Sequence, residues 1–339
     1  MKIAQRLKDQ ALEIGFSRVG IASVEDGEVV RHLQQWVNSS YHGKMLYMEN
    51  RKRNSPREVL DGCNTIIIVL LNYRWPEGTD QPQEGMISKY AWASDYHQVM
   101  LPMLQQLDNY LHELAPEAKS KVYVDTGPIS EKYWAQKAGV GWIGKHTNII
   151  NQEGSSWFFV GVILTDLKLE VDQPGIDHCG TCERCIEACP TRAIIAPYVL
   201  DARLCISYLT IELRESIPIE LRSLIGNRIF GCDDCQDVCP WNRFAQTGDP
   251  RFNPRPEILG ATLSEYLNFT PDEFRNRFKG TNVLRTKYRG FIRNCLVAAG
   301  NSKRPELRVD VARHLQSEDE MIREHAQWAM DQLVTPVAD

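Results

Sequence analysis

The residues best suited to chemistry in this sequence are its cysteines, since eight of the ten fall between positions 179 and 239. They form two runs, each ending in Cys-Pro, with two-residue and three-residue gaps between successive cysteines. Thiolates are the ligands of soft metal ions and iron–sulfur clusters, so this region predicts a metal centre. The cysteines are Cys179, Cys182, Cys185 and Cys189, then Cys205 alone, then Cys232, Cys235 and Cys239.

The first run has the bacterial ferredoxin spacing, in which three thiolates bind one 4Fe–4S cluster and the fourth binds a second cluster. The second run lacks its first cysteine, and Cys205 is the candidate that supplies it. We therefore predict crossed ligation. A zinc ribbon and disulfides are the alternatives, although zinc sites usually have separated Cys-x-x-Cys pairs. The predicted ligand sets are Cys179, Cys182, Cys185 and Cys239 for one cluster, and Cys205, Cys232, Cys235 and Cys189 for the other.

The composition is that of a globular protein of two or three domains, with 339 residues, 43% hydrophobic and 24% charged. The longest apolar runs, Thr65–Leu71 and Phe158–Leu164, are too short to cross a bilayer. The N-terminal residues form an amphipathic pattern without the apolar core of a signal peptide. Cysteines in metal-ligand spacing fit a reducing compartment, so we expect a cytoplasmic protein with no membrane contact.

Positive charge is concentrated near the C-terminus although the whole chain has a net charge of −5. Between Arg275 and Arg308 there are ten lysines and arginines against one acidic residue, Glu306. A basic stretch on an acidic protein indicates a docking surface for a polyanion. The alternative is a solvated helix face.

Strand patterns alternate with helix patterns over roughly the first 170 residues, which is typical of a mixed layer fold. From about residue 255 the pattern is helical and resembles a HEAT-like pair. We predict an α+β fold in three domains, 1–171, 172–250 and 251–339. The main predicted strands are Arg18–Ala22, Asn64–Leu71, Lys121–Val124 and Trp157–Thr165, and the main helices are Asp95–Leu114, Ile129–Ala138, Gly290–Ala299, Glu306–Leu315 and Met321–Leu333.

A candidate carboxylate lies in the turn Asp125-Thr126-Gly127-Pro128, at the carboxyl end of a predicted strand, where α/β folds place their sites. The alternative is an Asx turn or a helix cap. Three glycines at 139, 141 and 144 could bring the backbone close to a large flat ligand. They follow a helix rather than a strand, which excludes a dinucleotide-binding turn.

Other polar and sulfur-containing residues have simpler interpretations. Asp95 and His97 begin a long helix, so we expect a capping aspartate and a packed histidine. Cys63 and Cys295 fall outside the cluster spacing, and we expect both to be buried as small apolar residues.

Taken in order along the chain, several of these stretches resemble the epoxyqueuosine reductase family, and the resemblance covers nearly all of the sequence. The family uses cobalamin and two 4Fe–4S clusters, and its fold is similar to nitroreductase-like and corrinoid reductive dehalogenase folds. The resemblance implies an oxidoreductase that removes the epoxide oxygen of epoxyqueuosine at the wobble position of tRNA, the last step of queuosine synthesis. It rests on Arg53-x-x-Pro56, Ser88, Asp95-Tyr96-His97, Val124-Asp125-Thr126-Gly127-Pro128, Ala138-Gly139-x-Gly141-Trp142-x-Gly144-Lys145, Cys205-Ile206-Ser207-Tyr208-Leu209-Thr210 and Gly231 to Asn242.

The resemblance also implies roles for individual residues. Asp125 corresponds to the family's proton donor, and burial beside an apolar corrin face would raise its pKa and keep it protonated. The tRNA substrate gives the basic stretch a function, with Arg285, Lys287 and Arg289 as its phosphate contacts. We expect a monomer served by a flavodoxin or ferredoxin as electron donor. The residues expected at the cobalamin are Arg53, Ser88, Asp125, Ile149, Val160 and Ser207.

Two other functions compete with this one. A corrinoid reductive dehalogenase acting on small molecules would share the cofactors, but those enzymes usually carry a twin-arginine leader and need no basic tail. A ferredoxin-type electron carrier would not need about 170 residues ahead of the clusters. A corrin spectrum beside the cluster absorption distinguishes both cobalamin enzymes from the carrier.

Overall fold

The computed structural model describes residues 2–25, 30–75 and 83–334. Its central feature is an antiparallel sheet of four strands in the order β1-β2-β7-β4. The predicted loop Trp75–Glu84 lies mostly outside the described residues. The strands are β1 Arg18–Ser23, β2 Thr65–Asn72, β3 Met86–Ile87, β4 Ser120–Tyr123, β5 Trp142–Ile143, β6 Ile149–Ile150, β7 Phe158–Thr165, β8 Ile194–Ala196, β9 Val199–Leu200 and β10 Arg228–Phe230.

The helices surround this sheet and form most of the C-terminal region. The α-helices are α1 Ile3–Ile14, α2 Arg31–Asn38, α3 Tyr96–Leu114, α4 Glu131–Lys137, α5 Arg184–Glu187, α6 Ile219–Ile225, α7 Asp234–Asp237, α8 Pro256–Leu259, α9 Leu263–Leu267, α10 Pro271–Arg277, α11 Lys287–Ser302, α12 Arg308–Ala312 and α13 Glu320–Val334. Short 3-10 segments are Leu46–Glu49, Arg51–Asn54, Pro56–Glu58, Lys89–Ala91, Ala202–Leu204, Pro240–Phe244, Pro250–Phe252, Asn282–Thr286, Pro305–Leu307 and Arg313–Gln316, and Tyr208–Glu212 is a π-helix.

The central strand β2 is buried along its whole length because helices cover both faces of the sheet. Successive side chains of a strand point to opposite faces. Ile67 and Val69 accordingly pack in the cluster that contains α1 and α3, whereas Ile66 and Ile68 pack in the cluster that contains α4. A run of β-branched and aliphatic residues is what a strand buried on both faces requires.

One hydrophobic cluster extends from Ala4 to Leu333, so the C-terminal helices share a core with the N-terminal region. Within it α11 packs along α13, the helical pair that the sequence pattern predicts. Strand β10 also pairs in parallel with β3, which joins the cysteine-rich region to the N-terminal region. The three segments are packed together, and the predicted domain boundaries at 171 and 251 stay a prediction.

Most predicted elements are observed within one or two residues of their bounds. Asp95 caps α3 by accepting a hydrogen bond of 3.0 Å from the His97 backbone N–H, and Cys63 and Cys295 are fully buried. One helix prediction is wrong in part, since Glu306–Leu315 is broken into a 3-10 turn, α12 and a second 3-10 turn.

The glycines at 139, 141 and 144 pack closely against the protein itself. A Cβ on Gly141 would lie 2.3 Å from the Ile150 carbonyl oxygen, and one on Gly144 would lie 2.4 Å from Ile150 Cδ1. Gly139 has φ +71, and a Cβ there would lie 2.3 Å from the Gln173 carbonyl oxygen. This packing alone requires glycine at these positions, and their approach to a ligand stays a prediction. Among the residues that the structure describes, no helix is both long and apolar enough to cross a membrane.

Candidate active site and cluster-binding cysteines

Asp125 is the second residue after the end of β4 and adopts φ +57, a left-handed conformation that is uncommon for residues other than glycine. Its carboxylate Oδ2 lies 3.9 Å from His97 Nε2 and 3.9 Å from Arg285 Nη1. The side chain is 48% exposed, so the burial that we expected for it is not observed. The carboxyl instead lies at the surface, between two side chains that can carry positive charge.

His97 is oriented toward Asp125 by Asp95. Nδ1 of His97 lies 2.7 Å from Asp95 Oδ1, and Asn282 donates a further hydrogen bond of 3.1 Å to the same oxygen. Burial opposes ionisation of Asp95, but the hydrogen bonds from His97 outweigh it and lower the pKa of that carboxyl. The ionised Asp95 accepts the Nδ1 proton, and the Nε2 atom, which has no hydrogen-bond partner, is left facing Asp125.

Arg285 lies in this site and not on an open surface. Its Nε donates a hydrogen bond of 2.6 Å to Oε1 of Glu212, which holds the guanidinium beside Asp125. Lys287, two residues further on, has φ +59 and ψ 159, a backbone conformation that is strained for a lysine. Strained backbone of this kind is concentrated at functional sites.

The basic stretch does not form one continuous surface. Arg293 is fully buried and donates hydrogen bonds of 2.8 Å and 2.7 Å to the carbonyl oxygens of Leu213 and Glu215. Arg289 pairs with Asp319. Exposed Lys287 and Arg289 remain available at the surface, so their contact with tRNA phosphates stays a prediction.

Glu131 and Lys132, at the start of α4, lie near Asp125. Burial, and then the negative charge of Asp125, raises the pKa of Glu131 to about 8. The protein that surrounds Lys132 lowers the pKa of its ammonium, although part of the side chain is accessible to solvent. Lys132 Nζ donates a hydrogen bond of 2.8 Å to Asn148 Oδ1.

Arg53 and Tyr47 lie near the Asp125 turn and belong to the segment before β2. Arg53 Nη1 donates a hydrogen bond of 3.3 Å to the Ile129 carbonyl oxygen, and its guanidinium lies over the Tyr47 ring at 5.6 Å. Tyr47 is 46% exposed, and the charges of Glu212, Arg285 and Asp125 act on its hydroxyl. An exposed aromatic ring among charged groups is suited to cover a large planar ligand.

The sheet itself leaves an open edge beside the Asp125 turn. Strand β4 pairs only with Val162–Thr165 of β7, and Phe158–Gly161 continue past the end of β4. Val160 belongs to this open segment. Ile149 is buried in the short β5–β6 hairpin. Strand backbone that β4 does not pair, next to a carboxylate, fits the binding of an amide-rich ring system such as cobalamin.

The second cysteine run is hydrogen bonded to the Ser88 loop. Asp233, the neighbour of Cys232, accepts hydrogen bonds from Ser88 Oγ at 2.5 Å and from the Lys89 backbone N–H at 2.7 Å. Gly231 has φ +72, and a Cβ there would lie 2.5 Å from Ser88 Cβ. Only glycine permits this approach.

The segment after Cys205 connects the cysteines to the active site. Ser207 precedes the π-helix Tyr208–Glu212, whose last residue binds Arg285. π-helical turns are rare and are often found at functional sites. A single short segment thus supplies a predicted cluster ligand, a predicted cobalamin contact and the partner of Arg285.

The ten cysteines are free thiols, which excludes the disulfide alternative for this structure. Burial, and then the charges of Cys179, Cys239 and Cys182, raises the pKa of Cys185 to about 11. Within residues 2–25, 30–75 and 83–334, no three His, Cys, Asp or Glu side chains are arranged to hold a single metal ion. Cys239 is close enough to Cys185 for its charge to act on that thiol, which is compatible with the predicted crossed arrangement.

The cysteines of the second predicted cluster also lie close to one another. Burial raises the pKa of Cys205, and the nearby charge of Cys189 adds to it. The pKa of Cys235 is raised by burial and then by Cys205 and Cys232. Buried thiols that repel one another's charge need cations to become thiolates, and iron supplies that charge. The ligand sets fit two clusters, and the assignment of each cysteine stays a prediction.

Comparison with known proteins matches two segments of the chain to family models. A family model described as a 4Fe-4S double cluster binding domain matches residues 178–242, and a model described as epoxyqueuosine reductase QueG, DUF1730, matches residues 53–126. An epoxyqueuosine reductase of Pseudomonas aeruginosa is 43% identical over 341 residues, which cover 97% of this chain and 94% of that protein. The chain belongs to the epoxyqueuosine reductase family.

Other epoxyqueuosine reductases support the same assignment. The Escherichia coli protein is 39% identical over 98% of this chain and 90% of its own length. A crystal structure of an epoxyqueuosine reductase with an epoxyqueuosine-modified tRNA stem loop has a TM-score of 0.87 and 28% identity, covering 98% of this chain and 90% of that one. The Streptococcus thermophilus structure has a TM-score of 0.87 and 27% identity, covering 100% and 92%. The predicted α+β fold class and family are confirmed.

Glu131 and the position of Arg285 beside Asp125 were not predicted from the sequence. Glu131 is six residues from Asp125 across a proline-containing turn, and that proximity was a signal available in the sequence. For Arg285 the sequence held only a cluster of positive charge, because its contact with Asp125 joins distant segments.

Proposed function

We propose that this protein reduces epoxyqueuosine to queuosine in tRNA, with cobalamin and two 4Fe–4S clusters as cofactors. One observation carries the proposal. Lys132 is close enough to Glu131 and Asp125, and also to Cys235 and Cys205, for the charges of all four groups to act on its ammonium. The predicted proton donor and the predicted second cluster therefore lie near the same side chain.

The overall reaction consumes two electrons and two protons, and the epoxide oxygen leaves as water while a carbon–carbon double bond forms. Cobalamin bound here would supply the two electrons that this reductive opening requires, with the clusters as its source of electrons. The residues that would hold it are Arg53, Ser88, Ile149, Val160 and Ser207, with Asp125 at its reactive face.

The chain's own contribution to the chemistry is proton transfer and positioning. An oxygen that departs with a negative charge needs a proton. Asp125 is the half-exposed acid that would supply this proton. The Arg285 guanidinium, 3.9 Å away, stabilises the carboxylate left after the transfer. His97 Nε2, at the same distance, is placed to return a proton to it when the ring carries a proton on both nitrogens.

Several further assignments accompany this proposal. The substrate is the anticodon loop of tRNA, docked through exposed Lys287 and Arg289, and a solved relative holds an epoxyqueuosine-modified stem loop. The enzyme acts as a monomer in the cytoplasm, where tRNA is modified and used. A flavodoxin or ferredoxin reduces the clusters.

Genetic complementation tests the proposal. In a bacterial strain that lacks its own epoxyqueuosine reductase and is supplied with cobalamin, the protein should convert the accumulated epoxyqueuosine of tRNA to queuosine. Nucleoside mass spectrometry of total tRNA measures the two forms. If epoxyqueuosine persists while the protein is soluble and contains iron and sulfide, the proposed function is wrong.

A further inference from the structure

The turn that carries Asp125 is held in an unfavourable conformation. Val124 and Ile129, on its two sides, are buried, while Asp125 and Thr126 between them are exposed. Asp125 itself is in the left-handed region with φ +57, where a side chain crowds the backbone. A residue in this region remains there only when surrounding contacts fix it.

Glu131 provides a contact of this kind. It is the first residue of α4, and its Oε1 accepts a hydrogen bond of 2.8 Å from the backbone N–H of Asp125. The other end of the turn is fixed by Arg53, whose Nη1 donates to the Ile129 carbonyl oxygen at 3.3 Å. Ser130 Oγ donates in return to the Arg53 carbonyl oxygen at 3.1 Å.

We propose that Glu131 is a positioning residue that holds Asp125 in its left-handed conformation, so that the Asp125 carboxyl faces His97 and Arg285. Glu131 acts through the backbone of Asp125 and not on the substrate. The inference deepens the proposed function and rests on it for the role of Asp125. The hydrogen bond itself belongs to the fold and can be tested separately.

The chemistry of the side chain allows an informative pair of variants. Only the acceptor oxygen of Glu131 is used, and burial raises the pKa of its carboxyl, so a neutral acceptor is compatible with this position. Glu131→Gln keeps a neutral acceptor oxygen of the same length, whereas Glu131→Ala removes it. A contribution that depended on negative charge would be lost in both variants.

The first measurement is amide hydrogen exchange, followed by mass spectrometry, on peptides covering residues 124–130 of the cluster-loaded protein. Exchange at Asp125 should be faster in Glu131→Ala and close to wild type in Glu131→Gln. The matched control is Glu220→Ala, which removes an exposed acidic residue from the first turn of α6, another seven-residue helix. Unchanged exchange in Glu131→Ala would overturn the proposal.

The second measurement is turnover of epoxyqueuosine tRNA. Loss of one hydrogen bond predicts a kcat about tenfold lower in Glu131→Ala, with KM unchanged and recovery in Glu131→Gln. Wild-type kcat in Glu131→Ala despite faster exchange would overturn the positioning role. A wild-type protein that does not reduce epoxyqueuosine contradicts the proposed function instead, and in that case the exchange result still decides whether Glu131 holds the turn.

Discussion

Oδ2 of Asp125 lies 3.9 Å from Nη1 of Arg285, and this contact joins the turn after β4 to the segment that precedes α11. Arg285 is in turn hydrogen bonded to Glu212, at the end of the π-helix that follows Cys205. The N-terminal sheet, the cysteine-rich region and the C-terminal helices therefore all contribute to one site. This arrangement explains why the three regions share a hydrophobic core and are not separate modules.

Asp125→Asn should slow the conversion of epoxyqueuosine by at least about a hundredfold, because an amide keeps the shape of the side chain but cannot donate an acidic proton. Cobalamin binding and iron content should remain at wild-type levels. Single-turnover conversion measured by nucleoside mass spectrometry tests this, with Asp61→Asn in an exposed turn as the control. Turnover close to wild type would mean that Asp125 only shapes the turn.

Reversing exposed basic residues should weaken tRNA binding. In the double variant Lys287→Glu and Arg289→Glu, the plot of log affinity against log salt concentration should become less steep by about one per lost phosphate contact. Arg285 is left intact because it lies against Asp125. Lys119→Glu with Lys168→Glu, exposed at the opposite end of the sheet, is the control of equal charge change. If both double variants bind tRNA like wild type, the basic stretch is not the docking surface.

Crossed ligation predicts which cluster each cysteine variant damages. Cys189→Ala should damage the cluster of Cys205, Cys232 and Cys235, and Cys239→Ala should damage the cluster of the first run. Iron analysis with electron paramagnetic resonance of the reduced protein distinguishes the two, and Cys63→Ala, a buried cysteine outside both groups, is the control. Loss of the cluster nearest in sequence in each variant would contradict the crossed assignment.

His325 should make the protein less stable in acid. The ring is buried; Nε2 accepts the Ile217 backbone N–H at 3.2 Å, and Nδ1 donates to the Met321 carbonyl oxygen at 2.7 Å. Burial, and then the charge of Arg222, lowers the pKa of His325 from 6.5 to about 4. The unfolded chain therefore binds the proton more readily, so the stabilisation is complete above pH 6.5 and is lost as the pH falls toward 4.

The corresponding experiment compares urea unfolding at pH 6.5 and pH 5. The contribution of His325 to the free energy of unfolding should fall by at most about 2 kcal/mol over this interval. His325→Gln should be less stable at pH 6.5 but should lose less stability on acidification. Equal losses in the two proteins would show that His325 does not titrate in this range.

The sequence predicted those features that depend on local pattern. The buried run of β2 and the Asp95 cap each depend on neighbouring residues, and both are observed. Cysteine spacing is local in the same sense, and the cysteine-rich region matches a 4Fe-4S double cluster binding domain. Features that depend on distant packing were missed or misread. Arg293 was counted as surface charge although it is fully buried, and the glycine at 141 is required by the carbonyl of Ile150. A one-dimensional pattern shows that a glycine is needed but not which atom approaches it.

The activity to be measured is the removal of the epoxide oxygen of epoxyqueuosine in tRNA by this protein. The direct measurement is anaerobic incubation of the cluster-loaded protein with cobalamin, a strong low-potential reductant and tRNA that contains epoxyqueuosine, followed by nucleoside mass spectrometry. We predict that the modified nucleoside loses the mass of one oxygen atom and that omission of cobalamin abolishes the change. Unaltered epoxyqueuosine after incubation with protein that shows both the corrin and the cluster absorption would contradict the account.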